Sequence, residues 1–387
     1  MKVLMLTSGY LDINIGGVET YVYEVSRALR ARGHEVVVVR ISGGLSLRCP
    51  PDDVPLEVVT SGGRWTPSSE TLRRLINGVR AARHFSTIER LAPDIWHFHD
   101  LSEAFPLAAT ARLRSNAKLV WTNHLGEFLV LAGSRPGRLV SRVLTRPYAA
   151  ALAPSKELAL QSGIAPPVRF KPNGYDPRRF TAPDPSMRAF LRRKLELPDD
   201  TTPVVLVPRR WAPNKGIRYL AEALAQWPED AGPDPLVVFA GGGSSRYRTY
   251  QEDVATLLKE SRVPVRVLGE ITGDRMPELV KAADLTVIPS LREATSLSAI
   301  ESMGCGVPVV ATSVGGLVDL AELMPAEAMT LVPPANSAAL MSALVDRLAI
   351  RQWDGESAAL LAKETAENFS WRTIADDIEQ TYLKVLS

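Results

Sequence analysis

Two carboxylates stand in the pattern Glu293-x7-Glu301, inside the stretch LTVIPSLREATSLSAIESMGCGVPVVATSVGG that runs from Leu285 to Gly316. A carboxylate is a good acceptor for sugar hydroxyls and carries the wrong charge for a phosphate. The same stretch offers phosphate a different partner. A strand, a turn and a helix start leave unpaired backbone N–H groups pointing outward, reinforced by the helix dipole. The amides near Thr295, Ser296 and Leu297 lie where that helix begins. One short unit can therefore hold a phosphate on its amides and hydroxyls on two glutamates, which describes a nucleotide-sugar.

The histidines are the second group of interest. In Pro93-Asp94-Ile95-Trp96-His97-Phe98-His99-Asp100, His97 and His99 are two apart, so on a strand they point the same way. Such a pair could ligate a metal, as in hydrolase barrels. No further histidine and carboxylate cluster occurs at matching positions, and no metal is expected. His124 follows a predicted strand, Lys118 to Thr122, and reads either as a reactive side chain or as a hydrogen-bonded structural one.

These groups need elements to position them. Leu285 to Pro289 is an apolar run that reads as a buried parallel strand, Ser296 to Met303 as a short helix ended by Gly304 and Gly306, and Val307 to Ala311 as the next strand. Strand and helix patterns alternate along the whole chain. Val3 to Thr7, Glu35 to Ile41, Leu56 to Val59, the segment around Ile95, Lys118 to Thr122, Ala149 to Pro154 and Val168 to Pro172 form one series. After a Pro-, Asp- and Arg-rich linker near 177–203 the pattern restarts with Val204 to Val207, Leu236 to Ala240, Val265 to Leu268 and the Leu285 unit. Alternation of this kind predicts α/β architecture with two Rossmann-like, doubly wound parallel sheets. The expected domains are 1–180 and 181–370, with a terminal helix, 371–387, returning to the first.

Composition excludes other classes. The chain has 387 residues, 45% hydrophobic and 23% charged, with a net charge of +2. That balance suits a globular enzyme and does not favour nucleic acid as a partner. Two cysteines, Cys49 and Cys305, are too few for a disulfide framework or a cysteine metal site. No apolar run reaches membrane-spanning length, and Met1 to Leu6 is too short for a signal peptide, so a cytoplasmic location is expected.

Taken with the SMGCGVPVVAT strand and Gly315-Gly316 that follow, Glu293-x7-Glu301 resembles the donor-site signature of glycosyltransferase family 4, retaining enzymes of GT-B architecture. Further segments are similar: Gly16-Gly17-x-Glu19 in the first loop, and Pro172-Asn173-Gly174-Tyr175-Asp176 before the linker. The resemblance implies an interdomain cleft, no metal or other cofactor, and a nucleotide-sugar donor, with UDP the expected nucleotide. Arg210 and Lys215 match the family's diphosphate pair, while Arg209 reads as a surface residue. Gly16 and Gly17 would approach the donor phosphates. Glu301 would accept the ribose hydroxyls, Glu293 would touch the donor sugar, and His124 would lie near the transferred group. Retention implies that the leaving phosphate oxygen helps to take the acceptor proton. Ala294-Thr295-Ser296 departs from the commoner Gly-Phe-Gly, which leaves the donor sugar open.

For the acceptor, the first domain's loops carry Asp12, Glu19, Asp100, Glu103 and Glu127, and His97 would line the same region. Carboxylates suit an amino-bearing molecule, so the expectation is an aminocyclitol or aminoglycoside, as in antibiotic assembly. A lipid or cell-surface glycan is the alternative. Its support is a predicted helix with Arg135, Arg138, Arg142 and Arg146 near one face and Leu139, Val140, Val143 and Leu144 on the other. From other classes, a catalytically dead nucleotide-binding module conflicts with the intact Arg210, Lys215, Glu293 and Glu301 set. A dinucleotide oxidoreductase lacks its Gly-x-Gly-x-x-Gly turn after the first strand.

Overall fold

The computed structural model describes residues 1–8, 17–42, 55–60, 70–99, 105–124, 133–160, 163–199, 201–350 and 354–387. The chain divides into two compact units, Met1–Asn173 with Trp371–Ser387, and Gly174–Ser370. The division thus falls at Asn173/Gly174, a few residues before the expected 180/181.

In the first unit, β1 (Lys2–Thr7), β2 (Glu35–Ser42), β3 (Leu56–Thr60), β4 (Ile95–Phe98), β5 (Lys118–Thr122), β6 (Ala150–Ala153) and β7 (Val168–Phe170) form one parallel sheet in the order β3-β2-β1-β4-β5-β6-β7. The strands are short and apolar because both faces are covered. On one face Leu4, Leu6, Trp96, Phe98, Leu119 and Trp121 join a core with Phe85, Leu107 and Tyr148. The alternate residues face the other way, and the register sets His97 beside Met5 and Val120. The terminal helix, Trp371–Leu386, buries Trp371, Ile374, Ile378 and Tyr382 within this unit. Ion pairs hold it, Arg32 to Asp376 and Glu379 and Lys171 to Asp377 at 2.6 Å, with a hydrogen bond between His34 Nε2 and Glu379 Oε1 at 2.8 Å.

The helix predicted around Arg135 to Arg146 is present, Arg135–Thr145. Ser134 caps it, accepting from Gly137 N at 3.1 Å. Its buried residues are Gly137, Ser141 and Thr145, Leu144 packs partly buried against the first unit's core, and Leu139, Val140 and Val143 are exposed. The reason is local. Thr145 Oγ1 donates to Ser141 O and accepts from Ala165 N at 2.9 Å, so small side chains make the close contact on that face.

The second unit holds β8 (Val204–Val207), β9 (Leu236–Ala240), β10 (Val265–Gly269), β11 (Leu285–Ile288), β12 (Val309–Thr312) and β13 (Met329–Val332), parallel, in the order β10-β9-β8-β11-β12-β13. Val204 and Leu206 enter one core, Val205 and Val207 the other, as strand alternation requires. A buried charge cluster fixes the start of β8 and β11. Asp284 receives Arg188 and Arg192, each at 2.6 Å, and the Val204 amide at 2.7 Å. Both carboxylate oxygens are thus paired, which is the condition for a buried ion to be tolerated. The chain goes from β8 outward to β9 and β10, then returns to β11 on β8's other side. The loops after β8 and β11 therefore diverge at a topological switch point, where open α/β sheets bind ligands.

Candidate active site

Those two loops carry the charged residues. The loop after β8 runs through Arg209 and Arg210 to a single 3-10 turn, Pro213–Lys215, and then Gly216, φ 65°. A side chain at Gly216 would place its Cβ 1.8 Å from Pro289 O. Only glycine lets the Lys215 turn press against the end of β11, where Leu291 N donates to Asn214 O at 2.9 Å. At Gly241, after β9, a Cβ would lie 2.0 Å from Arg209 O, so that backbone also closes on the loop.

Glu293 is the centre of the cluster. Its Oε2 accepts from Lys215 Nζ at 2.9 Å, from Arg209 Nη2 at 3.1 Å and from Ser290 Oγ at 3.2 Å. Arg209 also donates to Ser296 Oγ, which caps the Leu297–Gly304 helix by accepting from Ala299 N at 3.3 Å. Burial alone would raise the Glu293 pKa. The Arg209 and Lys215 charges outweigh it and hold the carboxyl below its usual range. Lys215 is lowered, by burial first and then by Arg209, with Glu293 opposing.

Arg209, expected at the surface, is 8% exposed, and its Nε has no hydrogen-bond partner among the described residues. Arg210 is the exposed one of the pair. Its charge nevertheless lies close enough to oppose protonation of Arg209 and Lys215. The resemblance singles out the residue five before Lys215, whereas the turn after β8 directs its predecessor inward. Spacing in sequence carries no signal for that choice.

Thr295 and Ser296 are buried, and Leu297 opens the helix, whose first amides lack intrahelical acceptors. Glu301 lies on the same helix with its pKa raised to about 7 by burial, against the opposing charges of Arg179 and Arg209. Lys215, Glu293, Thr295, Ser296, Leu297 and Glu301 thus come together at the switch point. Arg209 and Ser290 join them, and neither is assigned there by sequence reading.

The first unit supplies a separate histidine cluster. His97 is fully buried, with Nδ1 2.6 Å from Tyr382 Oη and Nε2 2.7 Å from Thr122 Oγ1. Both ring nitrogens are occupied, so the expected acceptor-binding role of His97 is corrected to a structural one. Its ring lies tilted by 37° against that of buried His99, with centroids 4.3 Å apart. His99 Nδ1 lies 3.1 Å from Nε2 of His124, which is only half-buried and packs edge-on against Tyr21 at 4.7 Å. Burial pushes His97 and His124 down to about 3, and His99 well below its usual value. All three are neutral imidazoles at ordinary pH. Sequence reading gives neither His99 nor Tyr382 a part in such a cluster; the His-x-His period is the available sign for the first.

Gly17 begins the helix Gly17–Ala31, with Glu19 in its first turn. Gly16, Asp12, Asp100, Glu103 and Glu127 lie outside the described residues. Among the described residues, no cluster of three histidine, cysteine or acidic side chains is placed to hold a metal ion, and no helix is long and apolar enough to cross a membrane.

Two Rossmann-like units, one with paired cations and carboxylates at its switch point, define the GT-B class of sugar-transferring enzymes. Comparison with known proteins agrees. Residues 188–363 match the model of glycosyl transferases group 1, and residues 15–179 that of glycosyltransferase family 4. The D-inositol 3-phosphate glycosyltransferase of Salinispora tropica is 30% identical over 78% of this chain and 68% of its own. A component of the human phosphatidylinositol N-acetylglucosaminyltransferase is 26% identical over 99% of this chain and 76% of its own. Two further relatives are spanned over only 47% of their length. Among solved structures, the sucrose-phosphate synthase of Thermosynechococcus elongatus superposes with a TM-score of 0.77 at 25% identity, covering 100% of this chain and 99% of that one. The chain belongs to the group 1, family 4 glycosyltransferases.

Proposed function

We propose that the protein transfers a hexosyl group from a nucleotide-sugar, with UDP as the nucleotide, to a hydroxyl of a cyclitol, with retention and without a metal. The observation that carries this reading is the Arg209, Lys215 and Glu293 cluster at the switch point. As the bond from sugar carbon to phosphate oxygen breaks, negative charge gathers on the diphosphate. Lys215 is a point charge for it, and Arg209, with a spare buried Nε–H, a second donor. Arg210 stands by as a further cation. Amides at Thr295 to Leu297 add dipoles already oriented toward an anion.

Donor binding frees Glu293 from its role as counter-ion and turns it to the sugar hydroxyls. Glu301 accepts the ribose hydroxyls. The leaving phosphate oxygen then takes the acceptor proton on the face where the new glycosidic bond forms, so no protein base is consumed. His124, neutral and half-buried, offers a hydrogen bond to a sugar hydroxyl.

A cyclitol acceptor is supported by the relatives named for inositol phosphate and phosphatidylinositol. The amino-bearing form is the narrower proposal and rests on Asp12, Glu19, Asp100, Glu103 and Glu127. The test is nucleotide release from UDP-, GDP- and ADP-sugars, with chelator, against inositol phosphate, phosphatidylinositol and an aminocyclitol. Acceptor-stimulated release from a UDP-sugar is expected. Release only with added metal, or from no donor, would overturn it.

A further inference from the structure

The second unit opens on Gly174-Tyr175-Asp176-Pro177-Arg178-Arg179-Phe180, and this segment lies against the helix Leu297–Gly304. Tyr175 is buried, and its ring covers Gly304 so closely that a Cβ there would sit 2.3 Å from Cε2 and 2.7 Å from Cζ. The missing side chain at the last helical position therefore sets how near ring and helix come. Backbone pairing holds the ring in place: Tyr175 N donates to Phe369 O at 2.9 Å, and Tyr175 forms a single parallel bridge with Ser370. A tight turn follows. Asp176 O accepts from Arg179 N at 3.1 Å and from Phe180 N at 3.0 Å, while Asp176 Oδ1 accepts from Arg178 N at 3.0 Å. The turn sends Phe180 into the core that also holds Ile300 and Met303. Arg179 goes the other way, and its Nη2 donates to Gly273 O at 2.6 Å, on the loop after β10. The segment is thus pinned to the last turn of the helix at one end and to the β10 loop at the other.

We propose that Tyr175 and Arg179 are positioning residues for Glu301, the ring setting the depth of its helix and the guanidinium supplying its counter-charge. The inference rests on the proposed role of Glu301 at the ribose hydroxyls and deepens it. Glu301 stands one turn before Gly304 on the same helix, so a shift at Gly304 moves the carboxylate with it. Burial favours the neutral acid at Glu301, and Arg179, followed by Arg209, opposes that. The other groups near this pair are the Cys305 thiol, held neutral by burial, and Asp274 on the β10 loop beside Arg179. Only the ionised carboxylate accepts from two hydroxyls on bare oxygens. Both side chains therefore act through Glu301 and not on the nucleotide itself. At Tyr175 it is the ring that serves, since its buried hydroxyl has no hydrogen-bond partner among the described residues.

The experiment is calorimetric titration of UDP into the full chain between about pH 6 and about pH 9, with melts of each variant. Arg179→Gln is expected to bind UDP about fivefold more weakly at about pH 7 and as wild type does at about pH 9, because the pH at which affinity falls moves up by about one pH unit. Arg179→Lys keeps the charge and restores the wild-type profile. Tyr175→Phe keeps the ring and binds UDP as wild type does. Gly304→Ala drives a methyl group into the ring and lowers UDP affinity by more than about fivefold. Combining Gly304→Ala with Tyr175→Leu recovers it, because leucine vacates the edge of the ring. The proposal is overturned if Arg179→Gln loses affinity equally at every pH, which would make Arg179 a direct nucleotide contact, or loses none. It is also overturned if Gly304→Ala lowers Tm while the folded protein binds UDP unchanged. A wild-type chain that binds no UDP at any pH overturns the donor reading and this inference together.

Discussion

Lys215 Nζ lies 2.9 Å from Glu293 Oε2, on the same carboxylate oxygen that Arg209 Nη2 reaches at 3.1 Å. Residues 78 positions apart meet because the strands that carry them are neighbours in the sheet. One carboxylate oxygen sits between two cations, the place that under the proposed function a phosphate oxygen takes. The protein's own counter-ion thereby keeps the cations charged and pre-oriented.

Removing Lys215 tests that arrangement. Lys215→Ala should lower kcat by ~10²–10³, about 2.7–4 kcal/mol at the transition state, as for loss of one charge-stabilising donor. Arg209→Ala should cost activity and also lower Tm, since Glu293 then keeps one cation for a nearly buried charge. Arg210→Ala should leave Tm unchanged. Steady-state kinetics and melts on the three variants separate these roles, and a Tm loss in Arg210→Ala alone would reverse the assignment.

Glu301 should make donor binding depend on pH. Its pKa is raised to about 7 by burial, and only the ionised carboxylate can accept from both ribose hydroxyls. UDP affinity should therefore fall as pH drops through that value, and Glu301→Gln should flatten the profile. The linkage to stability has the opposite sense. A raised carboxyl contributes stability below its unfolded pKa and loses it as pH rises through the folded one. Glu301→Gln should accordingly stabilise the ligand-free protein by on the order of 1–3 kcal/mol at about pH 8. Calorimetric titration of UDP across pH, with melts alongside, measures both.

The histidine cluster predicts acid lability in the first unit. The folded values of His97 and His124 are lowered to about 3, mainly by burial. The unfolded chain then binds more protons at pH below the ordinary histidine value near 6.5, so stability falls as pH drops from there toward 3. Tyr382→Phe leaves His97 Nδ1 without its partner and should cost about 1–3 kcal/mol. His97→Ala should lower Tm while leaving acceptor KM unchanged in the fraction that folds. An acceptor KM shift without loss of Tm would restore the binding role.

Gly216 is the backbone condition for the Lys215 turn. Gly216→Ala places a methyl group 1.8 Å from Pro289 O at φ 65°, so the turn must shift. Destabilisation of at least about 1–3 kcal/mol is expected, with kcat falling further than UDP affinity because Lys215 moves with the turn. Urea unfolding and single-turnover kinetics check the pair.

Much of this is legible in the chain. Buried parallel strands write themselves as short apolar runs, and their alternation with helices specifies the doubly wound topology, hence the loops after β8 and β11 as its switch point. Glu293-x7-Glu301 and Lys215 can be read because each lies at a fixed offset from a strand end or helix start. Tertiary structure decides what local pattern leaves degenerate. Arg209 and Arg210 are identical in type and adjacent, and only the turn after β8 selects which one is buried. His97 reads as a ligand-facing residue until Tyr382, supplied from the far end of the chain, occupies its ring. The Arg135–Thr145 helix has the same periodicity whichever face is buried. The close packing at Gly137, Ser141 and Thr145 turns Leu139, Val140 and Val143 outward, and periodicity alone holds no information about that choice.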